Sequence, residues 1–305
     1  MDAAGLTVHS DAEGVTTMAT IASAPATRAP SKPTPRAKRR AAVVPADRHW
    51  LYQEAVQSPE VHAAFFDRVY RRHNGRLPHL LKEDFCGTAL LSAHWVATRA
   101  KNVAVGVDLD ADTLAWGRRH NVAPLTPDQR SRITLVRDDV REVTRPKVDV
   151  VAALNFSYFE FKTREELRAY FAVARRSLRP GGVLVLDMYG GWEAQMEVTD
   201  KTRNRGFTYI WEQDRYDPIT HLTRFFIHFK LYGSGRTIRR AFEYNWRQWT
   251  IPEVREVLAE AGFGKVDVYW EGFDEESGEG NGVFTLANRA ENCPGWIAMF
   301  VASPR

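Results

Sequence analysis

The chain of 305 residues carries two cysteines and five methionines. Two distant thiols, Cys86 and Cys293, cannot build a disulfide framework or a zinc site, and the nine histidines show no metal-ligand spacing, so no structural metal is expected. Long apolar runs are also lacking. No stretch approaches the roughly 20 apolar residues of a membrane span, and the first 30 residues have no apolar core behind a basic start of the kind that marks a secretory signal. Asp2, Asp11 and Glu13 argue against an organelle transit peptide. A cytoplasmic protein without a membrane partner is the expectation. An excess of one charge is missing from the body too. The whole chain has 42 basic and 38 acidic residues, of which six and four fall in residues 1–47. The remainder is nearly balanced and offers no broad basic footprint, so a nucleic-acid partner is not expected.

What is present is a composition of 44% hydrophobic and 11% aromatic residues, enough for a sizeable core. Residues 1–47 stand apart, rich in Ala, Thr, Ser and Pro and poor in large apolar groups, and read as a disordered basic tail. Within it "RAKRR" at 36–40 reads either as a solubilising stretch or as a nuclear-targeting or phosphate-binding patch. Residues 48–78 predict two helices, with "SPE" at 58–60 as a cap followed by proline in the first turn, positioned to fold over a ligand as a lid.

From residue 79 short apolar runs alternate with helix-compatible segments. Strands are predicted at 79–83, 103–108, 133–137, 148–154 and 183–188, the last two apolar enough to be buried on both faces. The predicted fold is α/β, a Rossmann-like doubly wound and mostly parallel sheet. Residues 207–249 change to a period of two with turn signals at "YDPIT" and "YGSG", predicting an inserted antiparallel β cover of three or four strands. A capped helix from "TIPEVREVLAEAGF", a strand "KVDVYW" and a final antiparallel strand "WIAMFVA" complete a domain spanning 79–305. The acidic, glycine-rich stretch 273–282 reads as a lid loop or a solvated one.

In such sheets ligands bind at the carboxyl ends of the strands. The small-residue turn "FCGTA" at 85–89 allows close backbone approach, Asp108 ends the second strand, where a carboxylate can bind both ribose hydroxyls, and Asp138 and Asp139 end the third, where an acceptor can meet an adenine amine. Three acidic strand ends suit a nucleoside. A dinucleotide site would need three glycines to seat a pyrophosphate, and this turn has one.

Residues 80–188 resemble the core of the class I S-adenosylmethionine-dependent methyltransferases, and the run onward to 303 resembles that family's last helix and final antiparallel strand. The family's opening motif, an acid followed by Gly-x-Gly-x-Gly, aligns on "EDFCGTA" with Glu83 as the acid and Gly87 as the central glycine, while Phe85 and Ala89 replace the flanking glycines. Asp108 matches the ribose acid, Asp139 the adenine-contacting acid with Asp138 as second choice, and "RRSLRPGGVLVLD" at 175–187 the turn before the fifth strand. The resemblance implies that S-adenosyl-L-methionine is bound by Glu83, Phe85, Cys86, Gly87, Thr88, Asp108, Leu109, Asp138, Asp139, Val140 and Asn155. "NFSYF" at 155–159 stands where amino-methylating nucleic-acid enzymes carry Asn-Pro-Pro-Tyr, but both prolines are absent, so Asn155 is expected to line the donor pocket.

The acceptor is expected under the cover, near Tyr52, Tyr158, Tyr189, Trp192, Trp211, Trp246, Arg247 and Trp270, whose rings can cage an amine or sandwich a planar group. His221, His228 and Glu271 are the candidate general bases. The expected activity is methyl transfer to an oxygen or nitrogen of a small molecule. The alternatives are an RNA or protein methyltransferase recruited by the basic tail, and a donor-binding module without catalysis.

Overall fold

The computed structural model describes residues 44–274, 276, 278 and 280–304. The tail and its RAKRR patch lie outside them, apart from Val44 to Asp47. Asp47 belongs to the folded body: its carboxylate caps the first helix through the His49 and Trp50 amides at 2.9 and 3.0 Å and accepts from the Trp116 indole at 2.8 Å.

Two helices lead, α1 (Arg48–Val56) and α2 (Pro59–Asn74), the second with proline in its first turn and Gly75 in the left-handed conformation at its end. Five strands follow, β1 (Leu80–Asp84), β2 (Val103–Asp108), β3 (Ile133–Arg137), β4 (Val148–Ala153) and β5 (Leu178–Gly190). They alternate with α3 (Leu90–Thr98), α4 (Ala111–Gly117), α5 (Pro127–Ser131) and α6 (Arg164–Ser177). The capping box of Thr163 and Glu166 starts α6. All six residues of β4 are buried and five of them are apolar, as expected for a strand covered on both faces.

Four antiparallel strands come next, β6 (Val198–Asn204), β7 (Phe207–Tyr216), β8 (Leu222–Leu231) and β9 (Thr237–Arg247), paired in that order as a separate sheet. The chain then returns through α7 (Ile251–Glu260), β10 (Phe263–Phe273), β11 (Gly280–Leu286) and β12 (Trp296–Pro304) to the main sheet, whose order is β11-β10-β12-β5-β4-β1-β2-β3. Strands β1 to β5 pair in parallel. Because β12 is antiparallel to both β5 and β10, β10 runs with the first five, and β12 and β11 run against them.

Two expectations need correction. The cover begins at Val198 rather than 207, because β6 is an edge strand whose residues are at most partly buried and whose sequence, VTDKTRN, carries little apolar signal. Part of the stretch read as a loop at 273–282 belongs to strands: β10 runs to Phe273 and β11 starts at Gly280, forming an outer antiparallel hairpin.

Apolar cores form on both faces of the main sheet. One joins α6, α7 and the inward side of the cover, and the other joins α2 and α3. Strand order reverses between β1 and β4, and at that switch point the carboxyl ends of the strands open toward α1, α2 and the cover.

Candidate active site

The turn after β1 has an unusual backbone. Phe85, Gly87 and Ala89, the three positions that align with glycines, all have left-handed φ, at 56°, 52° and 56°. Only the central one is a glycine. A Cβ there would meet nothing nearer than Thr113 Cγ2 at 4.0 Å, so the glycine spares strain and leaves backbone exposed to the cleft. The Phe85 ring is drawn onto Phe161 and Tyr170, with centroids 6.0 and 5.7 Å away.

Asp108 ties this turn to β2. Its Oδ2 accepts from the Gly87 amide at 2.7 Å and its Oδ1 from the Asp110 amide at 2.9 Å, leaving further lone pairs on both oxygens. Gly87, Thr88, Asp108, Phe85 and Asn155 line one cleft of about 870 Å³, closed on the far side by His49, Tyr52 and Gln57 of the N-terminal helical region and by Phe242, Tyr244 and Trp246 of β9. Gln53 of α1 donates to the Thr88 hydroxyl at 2.5 Å, fastening that helix across the turn.

Glu83 lies one step deeper. One carboxylate oxygen accepts from the Ser92 amide and hydroxyl at 2.9 and 2.5 Å, and burial pushes the group up to about 7. It lines a small recess with Gln57, Ser58, His62 and Asn155. His62 is buried, and desolvation lowers its pKa to about 4, so it is neutral near pH 7.

The remaining residues expected at the donor lie outside the lining of these two cavities. Asp139 is held by Arg141 in a bidentate pair, with Arg141 Nη2 to Oδ2 at 2.6 Å, which keeps its carboxyl below the usual range and occupies it. Asp138 accepts from the Asp139 amide on the surface. Val140 is core, and Cys86 is buried against Gly106. Leu109 is 64% exposed at the end of β2.

A second cavity adjoins the first. Tyr209 and Trp211 of β7, Ile227 of β8, and Tyr244 and Trp246 of β9 turn toward Tyr52, Val61 and His62, with Phe156, Phe284 and Met299 completing an aromatic and apolar chamber. Hydrogen bonding joins the Tyr52 and Tyr244 side chains, which line both cavities.

Two buried acids stand in this chamber. Asp187, on β5, accepts from the Asn155 and Phe156 amides at 2.7 and 2.8 Å, pinning two successive left-handed residues after β4. Glu271, on β10, accepts from the Gly282 amide at 2.9 Å. Burial pushes each to about 7. Trp211 Nε1, itself buried, has no hydrogen-bond partner among the described residues.

Of the three candidate bases only Glu271 reaches this chamber. His228 follows Ile227 on β8, so the strand alternation that turns Ile227 inward turns His228 outward. There it contacts Glu212 at 2.7 Å through Nε2 and accepts from the Arg240 amide at 3.0 Å through Nδ1. His221 sits in the turn before β8 in a left-handed conformation.

Tyr52, Trp211 and Trp246 line the chamber, but five others expected at the acceptor do not. Tyr158 and Tyr189 are buried core residues. Trp192 is on the surface, Trp270 packs on Trp296 at 4.8 Å, and Arg247 pairs with Glu253 at 3.2 Å over the Trp249 ring. Sequence reasoning missed Asp187, His62, Tyr209 and Tyr244. Asp187 ends the apolar run "VLVLD" as Asp108 ends "VAVGVD", and Tyr209 and Tyr244 stand two residues from Trp211 and Trp246, which places each pair on one strand face.

These cavities share Asn155, Tyr52, His62 and Trp246 in pairs or threes, and so form one connected space. Among the described residues its lining holds five carboxyl groups, Glu83, Asp108, Glu160, Asp187 and Glu271, and no lysine or arginine. Such a space suits positively charged ligands. S-adenosylmethionine fits it, being a nucleoside joined to a sulfonium and an ammonium, with a carboxylate on an open backbone turn for the ribose and a buried acid without a cation for the ammonium. Among the described residues no group of three or more His, Cys, Asp or Glu is placed to hold a metal ion.

Sheet order, glycine turn and acid-lined cleft are those of the class I methyltransferase fold. The comparisons agree. Residues 85–182 match the family model of the methyltransferase domain. The chain carries that methyltransferase domain on the class I fold.

Among solved structures, an S-adenosylmethionine-dependent methyltransferase from Clostridium acetobutylicum is 15% identical, with 84% of this chain and 98% of that one covered at a TM-score of 0.60. CalS10 from Micromonospora echinaspora, described as an amino pentose methyltransferase and solved with the donor bound, is 22% identical over 84% and 96% of the two chains at 0.58. KedS8 from Streptoalloteichus, described as a sugar N-methyltransferase, is 19% identical over 90% and 99% at 0.57. No curated protein matches the chain.

Proposed function

We propose that the enzyme methylates an amine nitrogen of a small molecule, that the Gly87 cleft holds the donor and that the aromatic chamber holds the acceptor. The observation that carries this reading is the charge of the chamber, which among the described residues has two buried acids, aromatic walls and no lysine or arginine. An ammonium entering there is attracted to the Tyr, Trp and Phe faces and to the acids. A phenolate or carboxylate acceptor would meet like charge. CalS10 and KedS8, described as acting on amino sugars or sugar nitrogens, share the fold and are consistent with an amine.

The donor supplies a methyl group on a sulfonium, already activated for in-line displacement, so the protein's part is chiefly positioning and proton management. Asp108 anchors the ribose, Glu83 answers the ammonium, and α1 with Tyr52 and Gln57 closes over both. Asp187 holds the Asn155–Phe156 turn between the two cavities. Glu271, with a pKa near 7, takes a proton from the bound ammonium and so frees the nitrogen lone pair, after which the carbon–nitrogen bond forms as the methyl–sulfur bond breaks and the donor leaves as a neutral thioether.

Among the described residues no helix is long and apolar enough to cross a membrane, and a cytoplasmic location belongs to the same proposal. The test is a methyl-transfer screen over amines, phenols and carboxylic acids with labelled donor. Product from amines alone is expected. Product from phenols or acids with none from amines would overturn the nitrogen assignment.

A further inference from the structure

Trp246 also lines a second recess, of about 610 Å³ and with the opposite charge. Its lining has three cations, Lys162, Arg215 and Arg224, against one acid, Asp217, with Leu222 and Trp246 as an apolar wall. Resting on the reading of the aromatic chamber as the acceptor site, we propose that this recess is a second subsite for the same acceptor. It takes an anionic oxyacid group, carboxylate or phosphate, with Arg215 as the principal contact.

Arg215 and Arg224 are direct cross-strand partners on β7 and β8. Like charges opposite each other weaken a sheet unless something answers them. Arg224 is answered by Asp214, Nη2 to Oδ2 at 2.5 Å. Lys162 pairs with Glu160 at 3.3 Å and donates to the Asn245 carbonyl. Asp217 is occupied by its own turn, accepting from the Ile219 and Thr220 amides at 2.9 and 3.3 Å. Arg215 alone of the three cations has no ion pair among the described residues.

The β7–β8 register shifts between Gln213 and Arg215, and such a bulge re-aims the side chain that follows it. A free guanidinium fork at the mouth of an apolar-walled recess matches the two oxygens of a carboxylate or phosphate. Trp246 lines both spaces, so chamber and recess adjoin at this indole, and on the proposal one acceptor spans the two. The acceptor is therefore bipartite, cationic at the methylated end and anionic at the other.

The test needs no turnover. The protein is saturated with the demethylated product of the donor and titrated calorimetrically, at fixed ionic strength, with inorganic phosphate and separately with acetate. At least one anion should bind the wild type and Arg203→Ala, a control on the exposed strand β6, with affinity at least tenfold lower in Arg215→Ala and Arg215→Gln and partly restored in Arg215→Lys. Binding of phosphate marks a phosphorylated acceptor, and binding of acetate alone marks a carboxylic one. If neither anion binds, or if binding is indifferent to Arg215, the subsite does not exist. A failed amine screen would instead remove the nitrogen assignment while leaving this titration readable. Once an anionic amine acceptor is in hand, Arg215→Ala should raise its KM at least tenfold with kcat within twofold, and leave an amine lacking the anion unaffected.

Discussion

Trp246 divides two regions built on opposite electrostatic plans. Toward the switch point of the sheet the adjoining cavities present, among the described residues, five carboxyl groups and no lysine or arginine, and three of those carboxyls are pushed to about 7 by burial. Toward the β7–β8 turn the recess presents three cations against one acid that its own turn already occupies. Both regions draw on the cover, but from different ends of the same strands: Trp211 and Ile227 face the first, Arg215 and Arg224 the second. Buried charge of one sign is costly, and it is retained where a ligand of the other sign completes it. The difference assigns a polarity to the acceptor and a direction to its approach.

The largest effect should come from the acidic side. Glu271→Gln is expected to lower kcat for an amine by about 10²- to 10⁴-fold at pH 8, as loss of a general base does. Donor affinity should be unchanged in the same protein, measured by calorimetry. The wild-type kcat should rise with pH and level off above about 7, the value to which burial pushes Glu271, and the variant should lack that limb. An unaltered rate would move proton acceptance to Asp187 or to solvent.

Next is the donor end. Asp108→Ala should weaken donor binding by about 1–3 kcal/mol, since it strands the ribose hydroxyls and the Gly87 amide. Undiminished affinity in a titration would mean that the ribose lies elsewhere.

A similar effect is expected on stability. Because the folded pKa of Glu271 is raised from 4.5 to about 7, the folded state holds a proton that the unfolded state has released between those values. Stability therefore falls as pH rises through that window, at a rate of up to about 1.4 kcal/mol per pH unit from this group. Chemical denaturation of wild type and Glu271→Gln from pH 4.5 to 8 should show the wild type losing ground to the variant up to about pH 7 and holding a constant difference above it. A difference that does not change with pH would show that the carboxyl is not shifted.

The smallest effect concerns the turn. Gly87→Ala places a Cβ in left-handed backbone with open space before it, so the expected cost is strain, about 1–2 kcal/mol in unfolding free energy, without a clash. Retained stability with lost donor affinity would show that the methyl group matters only to the cleft.

Much of this arrangement was readable beforehand. The five parallel strands announce themselves because residues buried on both faces must be apolar, and Asp108 stands out as the charge that ends one of them. Asp187 closes the apolar run of β5 but was passed over, because an acid after such a run does not disclose which amides it will hold, and the Asn155 and Phe156 amides arrive from 32 and 31 residues away. Strands β6 and β11 were missed as edge strands with mixed burial, where half the residues face water and the pattern fades. His228 was misjudged for a different reason. Alternation along β8 reveals two faces, but not which of them the chamber will occupy.

The sequence by itself determined the five parallel strands, their acidic ends, the small-residue turn centred on a single glycine and the existence of a cover, because each follows from local periodicity and backbone preference. Only the tertiary structure decided that Glu271, Asp187 and His62 share one chamber, that Asp139 belongs to Arg141, and that Trp246 stands between acid and base. Those relations depend on the docking of the cover against α1, α2 and the outer hairpin, a packing of surfaces far apart in the chain that no local pattern encodes.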